Sequence, residues 1–149
     1  MGKLLIKGNK EFIRRTKIAL YLLKEKDNIE YKNVINYIGK IEMLDYAGGM
    51  DVFKEIPTAY MGKSHNEESI YWHASCIVHE AHHSKLYFTA LEEGRDGIKE
   101  YSGHDAEMYC LTKQIETLKK IGAPKEIIEY ATTLYDSKWY EIPASKRYW

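Results

Sequence analysis

The segment YWHASCIVHEAHHSKLYF, residues 71–88, places three of the six histidines within five positions and sets Glu80 directly after the first of them. A helix turns by about 100° per residue, so His79 and His83 lie about 40° apart on one face. The opposite face is apolar, and few charges interrupt the segment. The pattern predicts a buried central helix with two histidines on one side.

Burying these imidazoles without partners would cost several kcal/mol. Two neutral imidazole nitrogens one turn apart match the ligand spacing of tetrahedral Zn²⁺. The letters HEAHH, residues 79–83, also fit H-E-x-x-H, in which both histidines bind zinc and the glutamate acts as general base. His82 is not part of this pattern. The alternative is that His79 and His83 are core residues bonded to the backbone or to tyrosines.

A catalytic zinc site needs a third protein ligand and an open fourth position. The extended pattern H-E-x-x-H-x-x-G-x-x-H is excluded, because Leu86 and Thr89 replace its glycine and its third histidine. In the next predicted helix, Glu107 lies at the edge of the apolar stripe that faces the core. We therefore predict Glu107 as the third ligand, with His104 or Asp105 as the alternative if this helix is rotated. Glu107 could instead pair with a lysine or a tyrosine.

HEAHH, followed by a helix that bears HDAEMYC, resembles the gluzincin metallopeptidases, and the short chain is similar to their single-domain members, the minigluzincins. The resemblance implies a zincin-like fold, a peptide or unfolded-protein substrate, and Zn²⁺ held by His79, His83 and Glu107 with Glu80 as catalytic base. We expect no second half-domain of thermolysin-like size, and therefore a cleft with one reduced wall.

The implied reaction is hydrolysis of a peptide bond. Zn²⁺ lowers the pKa of its water toward about 7, and Glu80 takes the proton and passes it to the leaving amine. The tetrahedral intermediate also needs a hydrogen-bond donor, for which the resemblance implies a tyrosine or histidine placed after the ligand glutamate. The candidates there are Tyr130 and Tyr135, while Tyr101 and His104 are nearer in sequence.

A peptide substrate could pair with an exposed sheet edge. The segment TAYMG, residues 58–62, directly precedes the zinc helix and would offer Ala59, Tyr60 and Met61 for substrate binding. The alternative is an ordinary edge strand without this role.

The whole sequence predicts a mostly helical α+β single domain with a sheet of at most three or four strands. The predicted helices span 10–26, 28–37, from 64–67 to Leu86 or Phe88, 102–122 and 124–136, and the predicted strands are GKIEML, DVF and TAYMG. The zinc helix would be capped by Ser64 together with Glu67, or by Asn66, and the glutamate helix by Ser102.

Composition limits the classes of protein that fit. A chain of 149 residues with 44% hydrophobic content is the size of one domain. Basic and acidic residues both number 22, which argues against a nucleic-acid or membrane partner. No secretory leader or membrane span is predicted, so we expect a soluble, cytoplasmic protein. Cys76 and Cys110 are expected to be buried packing thiols, with zinc ligation as the alternative.

The C-terminal stretch SKWYEIPASKRYW, residues 137–149, contains two aromatic pairs, Trp139 with Tyr140 and Tyr148 with Trp149. The stretch could pack over the core and enlarge the buried surface. Alternatively, it could fill the cleft, as in latent minigluzincins. The leading functional hypothesis is a zinc peptidase. The alternatives are a zinc domain without turnover and a metal-free helical domain that binds a partner.

Overall fold

The computed structural model describes residues 3–46, 48–66 and 68–143. The helices are α1 (Lys10–Lys26), α2 (Asn28–Tyr37), α3 (Ile70–Glu92), α4 (Gly97–Tyr101), α5 (His104–Lys120) and α6 (Lys125–Thr133). The strands are β1 (Leu5–Lys7), β2 (Lys40–Leu44), β3 (Met50–Asp51) and β4 (Thr58–Gly62), and short 3-10 turns cover Lys63–Asn66, Leu134–Asp136 and Trp139–Glu141. This composition confirms the predicted mostly helical α+β class.

The sheet has the strand order β1-β2-β4-β3, so β4 is an inner strand. β1, β2 and β4 are parallel, and β3 runs antiparallel to β4 with Met50 opposite Ala59. The amide of Tyr60 donates to the carbonyl of Gly49 at 2.8 Å, which extends this pairing. A Cβ atom on Gly48 would lie only 2.5 Å from the carbonyl oxygen of Tyr60, so glycine permits the close approach. The prediction that β4 is an edge strand is therefore wrong.

α3, the histidine helix, begins later than predicted. Ser69 is its N-cap, and its Oγ accepts a hydrogen bond from the amide of Tyr71 at 3.1 Å. Ser64 and Asn66 belong instead to a 3-10 turn, so the predicted caps are wrong. Glu67, the other half of the predicted capping box, lies outside the described residues. The helix also continues past its predicted end, by one further turn.

The bounds of the other predicted helices are closer to the prediction. α1 and α2 have the predicted bounds. α5 begins after Gly103 rather than after a Ser102 cap, and the φ of 91° at Gly103 is one that glycine adopts without strain. The sequence did not predict β1 or α4.

α3 occupies the centre of the domain and packs against α1, α2, α4 and α5. One side of it joins α1, α2 and the sheet in a cluster that contains Phe12, Ile41 and Ile77. Another side joins α5 and α6 in a second cluster that contains Trp72 and Leu111. The prediction of a buried central helix is confirmed. In the described part of the chain, no helix combines the length and apolar character needed to cross a membrane.

Candidate metal centre

The three predicted ligands converge between α3 and α5. The Nε2 atoms of His79 and His83 lie 3.1 Å apart. Glu107 Oε2 lies 3.1 Å from His79 Nε2, and Glu107 Oε1 lies 3.2 Å from His83 Nε2. Both histidines are buried, with 7% and 6% of their surface exposed. The helical spacing on α3 and the position of Glu107 on α5 thus bring one carboxylate to two imidazoles.

Fixed acceptors determine which nitrogen of each ring carries a proton. His83 Nδ1 lies 2.5 Å from the carbonyl oxygen of Tyr101, which can only accept, so Nδ1 donates. His79 Nδ1 lies 2.9 Å from Gln114 Oε1. The amide nitrogen of Gln114 donates to Ser75 Oγ at 3.1 Å, which keeps Oε1 directed at His79. In their neutral forms, both rings therefore present a lone pair at Nε2.

Two imidazole lone pairs and a carboxylate at such short range repel one another unless a proton or a metal cation lies between them. Bonds of about 2.0–2.1 Å in a tetrahedral zinc site place neighbouring ligand atoms about 3.3 Å apart, close to the observed spacing. Burial alone would lower the pKa of His83, but contacts with Cys110 and Glu107 raise it well above its usual value. Burial would raise the pKa of Glu107, but hydrogen bonds with His79 and His83 hold it far below its usual range. The residues present fit a divalent cation.

Glu80 lies beside this triangle. His79, Glu80 and His83 each offer one ligand atom, and these three atoms lie within 4.8 Å of one another. Glu80 is therefore an alternative third ligand. Glu107 is the better assignment, because its two oxygens contact both imidazoles at 3.1 and 3.2 Å. The Glu80 carboxylate is then placed next to the metal position without being required to bind it.

Two cavities open onto this position. The larger has a volume of about 220 Å³ and is lined by His79, Glu80, His83 and Glu107 together with residues such as Met50 and Tyr140. The smaller has a volume of about 70 Å³ and extends from His79 and Glu80 toward the end of β4. Gly48, His79, Glu80 and Trp139 line both cavities, so the two form one cleft with two pockets.

Two of the three residues predicted to bind substrate line the cleft, and the third does not. Ala59 is fully buried, and β4 is paired there with Ile41 of β2 on one side and Met50 of β3 on the other, so the predicted substrate pairing at an exposed edge is wrong for Ala59. Tyr60 and Met61 line the smaller cavity, although the edge of β4 at Tyr60 is already bonded to Gly49. Gly48, Gly49 and Met50 line the larger cavity.

The C-terminal segment covers part of the cleft. Trp139 is 7% exposed and contacts the ring of His79 edge to face, with centroids 6.2 Å apart. The hydroxyl of Tyr140 hydrogen-bonds His104 Nδ1. Pairing of Trp139 with Tyr140 is observed, whereas the pair Tyr148 and Trp149 lies outside the described residues.

The four predicted hydrogen-bond donors separate into two groups. Tyr101 lines the larger cavity, and His104 is held by Tyr140 at its rim. Tyr130 packs on Trp72 instead, and the hydroxyl of Tyr135 bonds Thr112. Tyr140, Trp139 and Gln114 were not predicted as site residues.

Local partners contact the histidines outside the metal position, although His82 Nδ1 is buried without a hydrogen-bond partner among the described residues. His82 Nε2 lies 2.5 Å from a carboxylate oxygen of Glu30. His73 and His65 face each other through their Nδ1 atoms at 2.7 Å, and His73 Nε2 contacts Thr16 Oγ1 at 2.8 Å. These histidines have structural partners and need no metal.

The two cysteines are free thiols next to the site. Burial raises the pKa of Cys76 well above its usual value and also raises that of Cys110. A thiol that keeps its proton is a poor zinc ligand, so this environment favours packing over ligation.

Neither a protein family model nor a curated protein nor a solved structure matches the chain.

Proposed function

We propose that the protein is a zinc-dependent peptidase whose metal is held by His79, His83 and Glu107. The observation that carries this proposal is the triangle of two Nε2 atoms and one carboxylate, with sides of 3.1 to 3.2 Å, next to Glu80 in an open cleft. The H-E-x-x-H spacing and the gluzincin resemblance support the same reaction. The expected substrate is a peptide or an unfolded segment of protein.

Several residues would have separate roles in the proposed hydrolysis of a peptide bond. A bound Zn²⁺ ion would supply a Lewis acid that lowers the pKa of a water toward about 7 and polarises the scissile carbonyl. Glu80 would accept the proton of the attacking water and deliver it to the leaving amine. Gln114 and the carbonyl of Tyr101 would hold the two imidazoles in the tautomer that leaves Nε2 free to bind.

The negative charge of the reacting carbonyl requires a donor at the rim of the cleft. Among the predicted donors, Tyr101 lines the larger cavity, and His104 lies at the start of α5, three residues before Glu107. In this structure, Tyr140 bonds His104 and also lines the larger cavity. This contact supports a latent state in which residues 139–141 occupy the cleft and keep His104 engaged.

A zinc-binding domain without turnover is the second candidate. Trp139 supports it, because this side chain lines both cavities and packs on a metal ligand. If the segment that carries Trp139 never leaves, the metal stabilises the fold and no peptide reaches Glu80. In a metal-free domain, the third candidate, a proton on His83 would hold the three groups in contact.

The decisive experiment is metal analysis of protein purified without added metal, together with hydrolysis of a peptide library. One zinc per chain, lost in the His79→Ala variant, with cleavage that a chelator abolishes, supports the peptidase. One zinc without cleavage of any peptide supports the silent domain. A protein that contains no metal, and whose thermal stability does not change when zinc is added, would overturn both zinc-binding candidates. We expect the activity in the cytoplasm, which the two free thiols favour.

A further inference from the structure

The smaller cavity is placed to receive a side chain next to the bond that is cleaved. It shares His79 and Glu80 with the larger cavity, which contains the metal position. A peptide whose carbonyl lies at the metal position therefore has one flanking residue at the mouth of the smaller cavity. This reasoning rests on the proposed peptidase function and adds the class of residue that the site accepts.

Three large apolar side chains form a rigid part of the wall of the smaller cavity. Met61, Trp72 and Leu134 are exposed by only 3%, 5% and 8%, so their outer sides pack against the protein. Close-packed side chains of this kind move apart only at a cost in packing energy. These three side chains therefore keep their positions when a ligand enters.

Hydrogen bonds fix two polar side chains of the cavity, those of His65 and Gln114. His65 is fixed by the 2.7 Å contact between its Nδ1 and that of His73, and burial lowers the pKa of His65 to about 4. Gln114 accepts from His79 and donates to Ser75. The described lining contains one acidic side chain, that of Glu80. An acidic side chain would lose its hydration and meet this carboxylate, and Lys and Arg side chains are larger than the cavity.

Volume sets the upper limit on what fits. The cavity measures about 70 Å³, roughly half of the ~150 Å³ apolar cavity that binds benzene in an engineered protein. Space of this size holds two or three carbon atoms. From these observations we propose that the pocket between Met61, Trp72 and Leu134 selects substrates with a small, uncharged side chain, from alanine to valine in size, next to the scissile bond.

Leu134 offers a matched pair of variants, because it lines the pocket and is not part of the metal centre. Leu134→Ala enlarges the pocket, and Leu134→Phe fills it. Leu118→Ala is the control, since Leu118 is fully buried in the same cluster and is not among the described residues of the pocket wall. All three variants are first checked for zinc content and cooperative unfolding.

Two measurements are made on the full chain. A mixed peptide library is digested, and the residues on both sides of each cleaved bond are identified by mass spectrometry. Separately, two otherwise identical peptides with alanine or phenylalanine at the selected position are titrated by calorimetry into the Glu80→Gln protein. The calorimetric measurement does not depend on turnover.

We expect alanine, serine and valine to be preferred over phenylalanine and charged residues by about tenfold or more on one side of the bond. Leu134→Ala should reduce this preference by about tenfold, Leu134→Phe should narrow it toward glycine and alanine, and Leu118→Ala should leave it unchanged. Cleavage without a size preference, or with a preference that neither Leu134 variant changes, overturns the pocket assignment and leaves the peptidase proposal intact.

Size-selective binding to the Glu80→Gln protein, without cleavage by the wild type, supports the pocket and overturns the peptidase proposal. Neither binding nor cleavage overturns both.

Discussion

Gln114 accepts a hydrogen bond from His79 Nδ1 at 2.9 Å, although the two residues are 35 positions apart. The bond orients the ring so that Nε2 points at His83 and Glu107. A metal-binding histidine commonly has such an outer partner, and loss of that partner costs about 10- to 100-fold in metal affinity or activity.

The Gln114→Leu variant should therefore bind zinc about 10- to 100-fold more weakly than the wild type while keeping its fold. The reason is that the ring of His79 loses the acceptor that fixes its tautomer. Competition with a chromophoric chelator measures the affinity. Gln114→Glu, which keeps an acceptor at the same position, is the matched control. An unchanged affinity in Gln114→Leu would show that the contact has no influence on the metal.

The Glu80→Gln variant should retain zinc and fold but lose hydrolysis, with kcat/KM reduced by about 100- to 10,000-fold. Glu80 neighbours the metal position, and its proposed role is proton transfer. Peptide hydrolysis and metal analysis are measured on the same preparation. Glu116→Gln, an exposed change on α5, is the control for a lost carboxylate. An equally active Glu80→Gln protein would remove Glu80 from the mechanism.

The Glu107→Ala variant should lose zinc affinity and thermal stability together. It removes the charge that contacts both imidazoles and leaves space between α3 and α5. His104→Ala is the comparison, because His104 is exposed and contacts Tyr140 rather than the metal position. If Glu107→Ala kept one zinc per chain and His104→Ala lost it, the third ligand would have to be reassigned.

Zinc binding should release about one proton at pH 7. In the metal-free protein, contacts with Cys110 and Glu107 raise the pKa of His83 well above its usual value despite burial, so zinc competes with a proton at His83. Glu107 has a lowered pKa and is already ionised, so it releases none. Zinc affinity should consequently rise with pH until the pH exceeds the pKa of His83. Calorimetry in two buffers with different ionisation enthalpies measures the proton count, and a count of zero would contradict this account of His83.

The convergence of His79, His83 and Glu107 could be predicted from the sequence, because their positions follow from local helical geometry. His79 and His83 are one turn apart on α3, and Glu107 lies at the edge of an apolar stripe on α5. The start of α3 is harder to predict, because several polar residues precede it and each can cap a helix. Only the path of the chain selects Ser69.

Contacts between distant segments could not be predicted in the same way. Tyr140 bonds His104 across 36 positions, and Trp139 reaches His79 from the C-terminal segment. Neither contact leaves a periodic signal in the sequence. The inner position of β4 depends on a two-residue partner strand, which is too short to show strand alternation.

The C-terminal segment leads to the last prediction, that a chain ended after Ser137 will have higher peptidase activity and will keep its zinc. Trp139 lines both pockets and Tyr140 holds His104, so removal of these residues opens the cleft and leaves His104 free to donate.

The same residues also stabilise the domain, because Trp139 is 7% exposed and packs in the cluster of α5 and α6. Loss of a buried tryptophan costs about 3–5 kcal/mol, a large part of the total stability of a small domain. Activity should therefore be assayed at low temperature, after zinc content and unfolding have been measured on the truncated protein.

Tyr140→Phe in the full chain is a less disruptive variant, since it keeps the ring and removes only the hydroxyl bonded to His104. It should raise activity by a smaller factor than the truncation. A truncated protein that folds, binds zinc and is no more active than the full chain would refute autoinhibition. If the truncated chain does not fold and Tyr140→Phe has wild-type activity, the segment is a packing element of the domain, because opening its one polar contact with the cleft then changes nothing.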